Sequence, residues 1–353
     1  MPAGRAGGVY APASEPASVV YYPKHPAPGR VVALAAITGA AEPGKPPGAI
    51  RRILTGETEQ PVLESGLVRP VSLAVRGGQI LVVDAGRGAI VQIDPASSRM
   101  RLLEVRGLSG PVQPVALASD DKGRLYIGDA KAGAVLEVGS DNVVVRSLRL
   151  DTGAAFVPVD LAVSADRLYA VNRAGRRVDV FDLASGQRVG EIQAGEAGAP
   201  ALPVAVSLDS KGQIYVVDMV GARVRVYTPG GKLVRELGRP GNRPGLFAQP
   251  RSVAVGPDGI TYVADVATQV VQMFNPSSQL LTYFGGAGDA AGEMGMPAKI
   301  VTDRTLLEAF AARMPAGFVP QYLVLVANQA APGRIGVYAF GQVSEAGEES
   351  AGS

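Results

Sequence analysis

The 353-residue sequence has no cysteine, no tryptophan and one histidine, His25. The absence of cysteine excludes a disulfide, a thiolate zinc site, a thiol nucleophile and CxxCH haem attachment. A single histidine excludes multi-histidine metal sites, and it leaves Ser-His-Asp catalysis only to a site that includes His25 itself. An excess of one charge is also missing. With 34 basic and 32 acidic side chains the formal charge is +2, too small to imply nucleic acid or an anionic membrane on electrostatic grounds. The longest clean apolar run, Val31 to Ile37, falls far below the ~20 residues of a membrane-spanning helix. The opening stretch MPAGRAGGVYAPASEPAS lacks the apolar segment of a secretory signal.

What remains is rich in turns and apolar residues. Hydrophobic residues make up 47% of the chain, enough for a sizeable core, and 45 Gly with 27 Pro point to many turns between short strands. A repeat organises them. It reads PVSLAVRGGQILVVDAGRGAIVQID from Pro70, PVALASDDKGRLYIGDAKAGAVLEV from Pro114 and PVDLAVSADRLYAVNRAGRRVDVFD from Pro158. It continues as PVAVSLDSKGQIYVVDMVGARVRVY from Pro203 and PRSVAVGPDGITYVADVATQVVQMF from Pro250. A sixth, interrupted copy starts at Pro297 and resumes as YLVLVANQAAPGRIGVYAF from Tyr322.

Successive copies begin 44 to 47 residues apart. Each holds three apolar strands joined by turns such as DKG, SKG and PDG, and a more polar fourth strand (GKLVRELG, SQLLTYFGG) separates the copies. Four strands in ~45 residues is one propeller blade, and six blades predict an all-β, six-bladed propeller around a central channel. The sixth copy lacks its own outer strand. The segment GRVVALAAITG at residues 29–39 matches that pattern, so an N-terminal strand is expected to complete the last blade and close the ring. The domain division that follows is a Pro/Ala/Gly-rich extended tail over 1–28, the propeller over 29–341 and a short acidic tail over 342–353.

These residues resemble NHL-repeat propellers, whose signature runs P-x-G-V-A-V … G-x-[IL]-Y-V-x-D-x-x-x-x-R-[IV]-x-[VK]-[FY]. The match covers most of Pro70 to Phe340 and is among its closest in the fifth copy. The glycine of the first strand is replaced throughout, and copy six carries an insertion. The segments SVVYYPKHPAPGRVVALAAITG, IRRILTGETEQPVLESGLVRPVSLAV and YLVLVANQ…GRIGVYAFG are together similar to bacterial six-bladed NHL propellers. Those are often lipoproteins and are frequently encoded beside multihaem c-type cytochromes. The family's lipobox cysteine has no counterpart here, so lipid anchoring does not carry over. The resemblance implies a periplasmic or extracellular location.

Four sets of residues are candidates for chemistry. Asp84, Asp129, Asn172, Asp218, Asp265 and Asn328 close the second strand of each copy; as a ring they evoke cation binding, but Asx side chains at such positions cap the following turn, which is the expected role. Two residues after each repeat proline stand Ser72, Ala116, Asp160, Ala205, Ser252 and Lys299, expected to line the channel. Asp160 and Lys299 break the small-residue pattern in opposite blades. They either pair across the channel, directly or through water, or fix a small ligand.

From Asp166 to Arg251 thirteen basic residues stand against eight acids, a face read as solvated rather than nucleic-acid binding. The insertion DRTLLEAFAARMPAGFVPQ sets Leu306, Leu307, Phe310 and Met314 at helical spacing. That face either packs on its own propeller or docks a protein partner. Its companion is the linker between residues 39 and 67, with a short element expected near residues 50–54.

Propellers also host enzymes. A sugar-lactonase type needs convergent acidic and amide metal ligands in the channel, and lyases of the NHL type commonly need several histidines. With one histidine and one channel acid, the expected function is non-catalytic, without a cofactor or metal. It is a protein-binding or scaffold propeller whose partner, by the resemblance, is a multihaem c-type cytochrome or its assembly machinery. A Ca-dependent lactonase-like enzyme and an RNA-binding NHL domain stand as alternatives.

Overall fold

A computed structural model describes residues 20–22, 30–38, 66–150, 153–192, 202–290 and 292–343. His25, the linker element expected near residues 50–54 and the acidic residues from 344 onward lie outside the described residues.

Each repeat forms one antiparallel sheet whose strands lie in sequence order from the channel outward. Blade one, for example, is built from Pro70–Arg76, Gln79–Asp84, Ala89–Asp94 and Arg99–Leu102. Second strands such as Leu125–Asp129 and Ile214–Asp218 are buried at every residue, because another blade packs on each face. The outer strands Val144–Leu148 and Leu233–Leu237 instead alternate half-buried and exposed residues, as a rim strand must. The hairpins between first and second strands of blades two and four follow their Asp-x-x-Gly sequences. In blade four Asp209 Oδ1 accepts from the amides of Lys211 and Gln213, and Gly212 supplies the left-handed residue at φ +75°.

Among the described residues the core is six separate clusters, one at each interface between neighbouring blades. Closure therefore governs stability, since an open ring would leave one such interface wet. The closing device is the strand Val31–Ile37, which pairs with Arg334–Val343 in the register Val31↔Phe340, Ala33↔Tyr338 and Ile37↔Ile335. Tyr21–Tyr22, within the segment expected to be tail, adds a fifth strand on the outside. Tyr22 and Tyr338 both donate to the Gly292 carbonyl, at 3.3 and 3.1 Å, and so pin the closing blade to the loop from blade five. Gly292 sits at φ +85°, and a Cβ there would meet Tyr22 Oη at 3.0 Å.

The blade-six insertion is built as an extension of its sheet, with the long strands Phe318–Asn328 and Arg334–Val343 and a 3₁₀ helix, Glu308–Arg313. Leu306 and Phe310 are buried in the cluster that joins blades six and one, with Leu307 and Met314 packed against it. The apolar face proposed for partner docking is therefore taken up by the propeller itself.

Candidate functional site in the central channel

In all six blades the register shifts between the repeat proline and the residue two places on, a bulge that leaves the residue after the proline unpaired. In blades one, three and five the next side chain then accepts a hydrogen bond from the inner strand of the following blade. Ser72 Oγ takes the Leu117 amide at 3.0 Å, Asp160 Oδ2 the Val206 amide at 2.9 Å and Ser252 Oγ the Ile300 amide at 3.1 Å. These satisfy amides on the inner edge of each ring neighbour, which no fifth strand covers. Blades two and four answer with Ala116 and Ala205, both buried.

Blade six departs from this alternation. Lys299 reaches across the axis to Asp160, Nζ to Oδ1 at 2.5 Å, and both side chains are more than nine-tenths buried. Both Asp160 oxygens are thus engaged, one by an ammonium and one by a backbone amide. A buried pair of this kind is held by geometry and hydrogen bonding, since Coulomb attraction largely offsets the cost of desolvating two ions.

The pair closes the channel. On one side lies a cavity of about 760 Å³, lined by the C-terminal halves of all six inner strands and by the loops that follow them in blades one, two and six. Of the six channel side chains only Lys299 lines it. The floor and walls are apolar strand residues such as Leu161, Val206 and Val253, and the rim carries Asp121, Lys122 and Asp303. With one N–H held by Asp160, the ammonium has two further donors.

At the opposite mouth stand two residues that sequence reading had counted only within the basic run. Arg251 is the bulge residue of blade five, where the other blades carry Val71, Val115, Val159, Val204 and Ala298. Arg173 follows the closing Asn172 of blade three, and its amide donates to Val157 at 3.0 Å. Both side chains are exposed in the channel mouth. The signal available in sequence was the break in the repeat at each position.

Several other members of the basic run pair with acids of their own blades. Arg177 and Arg188 meet the buried Asp179 at 2.8 and 2.6 Å, and Arg225 meets the buried Asp218 at 2.6 Å. The Asx ring is structural in detail. Asp84 accepts from the amides of Val68, Arg69 and Gly86, Asp265 from those of Ala248, Gln249, Ala267 and Thr268, and Asn328 from Gly295. Each staples the loop that enters a blade to the turn after its second strand.

A lactonase-like propeller implies a divalent cation in the channel, and the residues do not fit one. The channel carboxylate is already paired to Lys299, the Asx side chains face backbone amides, and no three His, Cys, Asp or Glu converge among the described residues. An ammonium occupies the place where such an ion would need oxygen ligands.

No family model and no curated protein matches the chain. Solved structures do. A streptogramin B lyase is similar with TM-score 0.55 at 14% identity, over 80% of this chain and 97% of that one. A gluconolactonase from Xanthomonas campestris gives TM-score 0.57 at 12% identity, over 93% and 100%. A virginiamycin B lyase from Staphylococcus aureus gives 0.52 at 11%, over 77% and 95%. At these identities the likeness is one of fold, a six-bladed propeller. It nevertheless corrects the expectation of a non-enzymatic binding or scaffold propeller serving cytochromes. These three propellers are named as enzymes, and the lactonase-like alternative is the one they favour.

Proposed function

We propose that this protein is a propeller enzyme that opens a lactone or cyclic ester in the cavity above the Asp160–Lys299 pair, without a metal ion. The observation that carries the reading is the cavity of about 760 Å³ with a single buried ammonium at its closed end. Opening such a ring places negative charge on the carbonyl oxygen. A fixed, buried cation stabilises that charge better than mobile solvent does. Water adds to the carbonyl carbon, the ring C–O bond breaks, one water proton ends on the departing alkoxide, and the other goes to solvent as the new carboxylic acid ionises. Lys299 holds the developing oxyanion through its free N–H groups, and Asp160 fixes the ammonium in place. The substrate classes are drawn from the names of the fold neighbours, a gluconolactonase and streptogramin-type lyases.

The test is proton release at constant pH with the purified protein, an aldonolactone and a streptogramin B in turn. Saturable acceleration of at least one over its spontaneous rate, unaffected by chelator, is the expected result. No acceleration of either compound counts against the reading. A location outside the cytoplasm belongs to this proposal as well, and fractionation of the native host tests it.

A further inference from the structure

The repeat calls for small or apolar residues near the axis, and four charged residues break it along the channel: Asp160, Arg173, Arg251 and Lys299. Two of them neutralise each other. The other two do not find counter-ions. Among the described residues neither the Arg173 nor the Arg251 guanidinium has a hydrogen-bond or ion-pair partner, and both open to solvent at the mouth opposite the cavity. The ring of bulge residues and the ring of residues following each Asx hold no other charge. Loose surface arginines usually carry no message, but these two stand in blades three and five, on either side of blade four, and converge on the outer side of the same carboxylate.

We infer that Arg173 and Arg251 form an oxyanion site at this mouth, taking the carboxylate or phosphate group of a small molecule. A guanidinium presents a planar fork that matches either group, and two of them leave a surplus of two positive charges over a floor already neutral. Open to solvent at its edge, the Arg251 guanidinium is still partly desolvated by the crowded mouth, which pushes it below the ordinary arginine range; the charge of Asp160 opposes that shift and the charge of Arg173 adds to it. The two cations thus feel each other, and an anion between them relieves the repulsion. The site is separated from the cavity by the Asp160–Lys299 pair, so the inference stands apart from the reading of the cavity.

Calorimetric titration with inorganic phosphate, and separately with succinate, tests it on the full chain. Saturable binding of at least one probe is expected, with a Kd on the order of 1 mM or tighter. Which probe binds distinguishes a phosphate source from a carboxylate one, and binding of both places the site on the shared oxyanion chemistry. Arg173→Gln and Arg251→Gln should each weaken binding about tenfold or more, the worth of one charged hydrogen bond. Lys232→Gln, an exposed change in the blade-four turn, should leave it unaltered. Circular dichroism of each variant confirms that it is folded. The inference is overturned if neither anion binds saturably up to roughly 50 mM, or if both arginine variants bind as the native chain does.

Discussion

Lys299 Nζ lies 2.5 Å from Asp160 Oδ1, and through that contact blade six is joined to blade three across the axis of the ring. The other Asp160 oxygen accepts the Val206 amide at 2.9 Å and ties blade three to blade four. One carboxylate therefore holds three of the six blades, and it closes the channel into two unequal ends.

Asp160→Ala strands a buried ammonium and a buried amide together. A loss of roughly 3–5 kcal/mol in unfolding free energy is expected, as for other broken buried pairs. Asp160→Ala combined with Lys299→Met should cost less than the sum of the two single changes, because the double variant buries no unpaired ion. Urea unfolding of the three variants measures the difference. Additive losses would mean that the two residues do not act as a pair.

The Asx staples should rank among the most sensitive single positions. Asp84 accepts three backbone amides and is fully buried. Asp84→Ala is expected to cost on the order of 3 kcal/mol, and Asp84→Asn distinctly less, since an amide oxygen can still accept. Adding calcium should change neither variant nor the native protein in a melting experiment. Calcium-dependent stabilisation lost in Asp84→Ala would revive the cation reading of this ring.

Leu306→Ala and Phe310→Ala remove side chains from the seam between blades six and one. Each should cost about 2–5 kcal/mol, read as a lowered urea midpoint. A face that instead served a partner would tolerate both changes with little loss of stability.

Alkaline pH should unfold the protein through its tyrosines. Burial pushes Tyr126, Tyr227, Tyr262, Tyr322 and Tyr338 well above the ordinary tyrosine value of 10.0, and Glu137, Asp218 and Asp258 add to the shift at Tyr126, Tyr227 and Tyr322 respectively. The folded state keeps these protons and the unfolded state loses them. Their contribution is therefore complete below about pH 10 and declines above it, by about 1.4 kcal/mol per pH unit for each tyrosine. Melting temperature should hold level from pH 7 to about 9.5 and then fall steeply, with tyrosinate absorbance appearing together with unfolding. Tyrosinate appearing fully in the folded protein near pH 10 would contradict this burial.

The blades, their order and the closing strand were legible because each rests on a local pattern: the repeat proline, the Asx at the end of the second strand, the alternation of the rim strand. Counting blades set Asp160 opposite Lys299, and left open whether they pair or fix a small ligand. What stayed hidden depends on direction in space. The bulge after each proline leaves no mark in composition, so Ser72 and Ser252 read as small channel residues and not as acceptors for the next blade. Arg173 and Arg251 are far apart in sequence and vanished into a charge count. The insertion showed its apolar spacing, but spacing alone does not say whether a partner or the neighbouring blade covers Leu306 and Phe310.

The most direct test of the proposed chemistry compares native protein with Lys299→Met in the proton-release assay, on whichever lactone or cyclic ester the native chain opens. Methionine keeps the volume of the side chain and removes its charge. If the ammonium bears the oxyanion, kcat falls roughly 100-fold or more while the variant remains folded, the usual loss for one such donor. A folded Lys299→Met protein that turns over at the native rate would place the chemistry away from this residue.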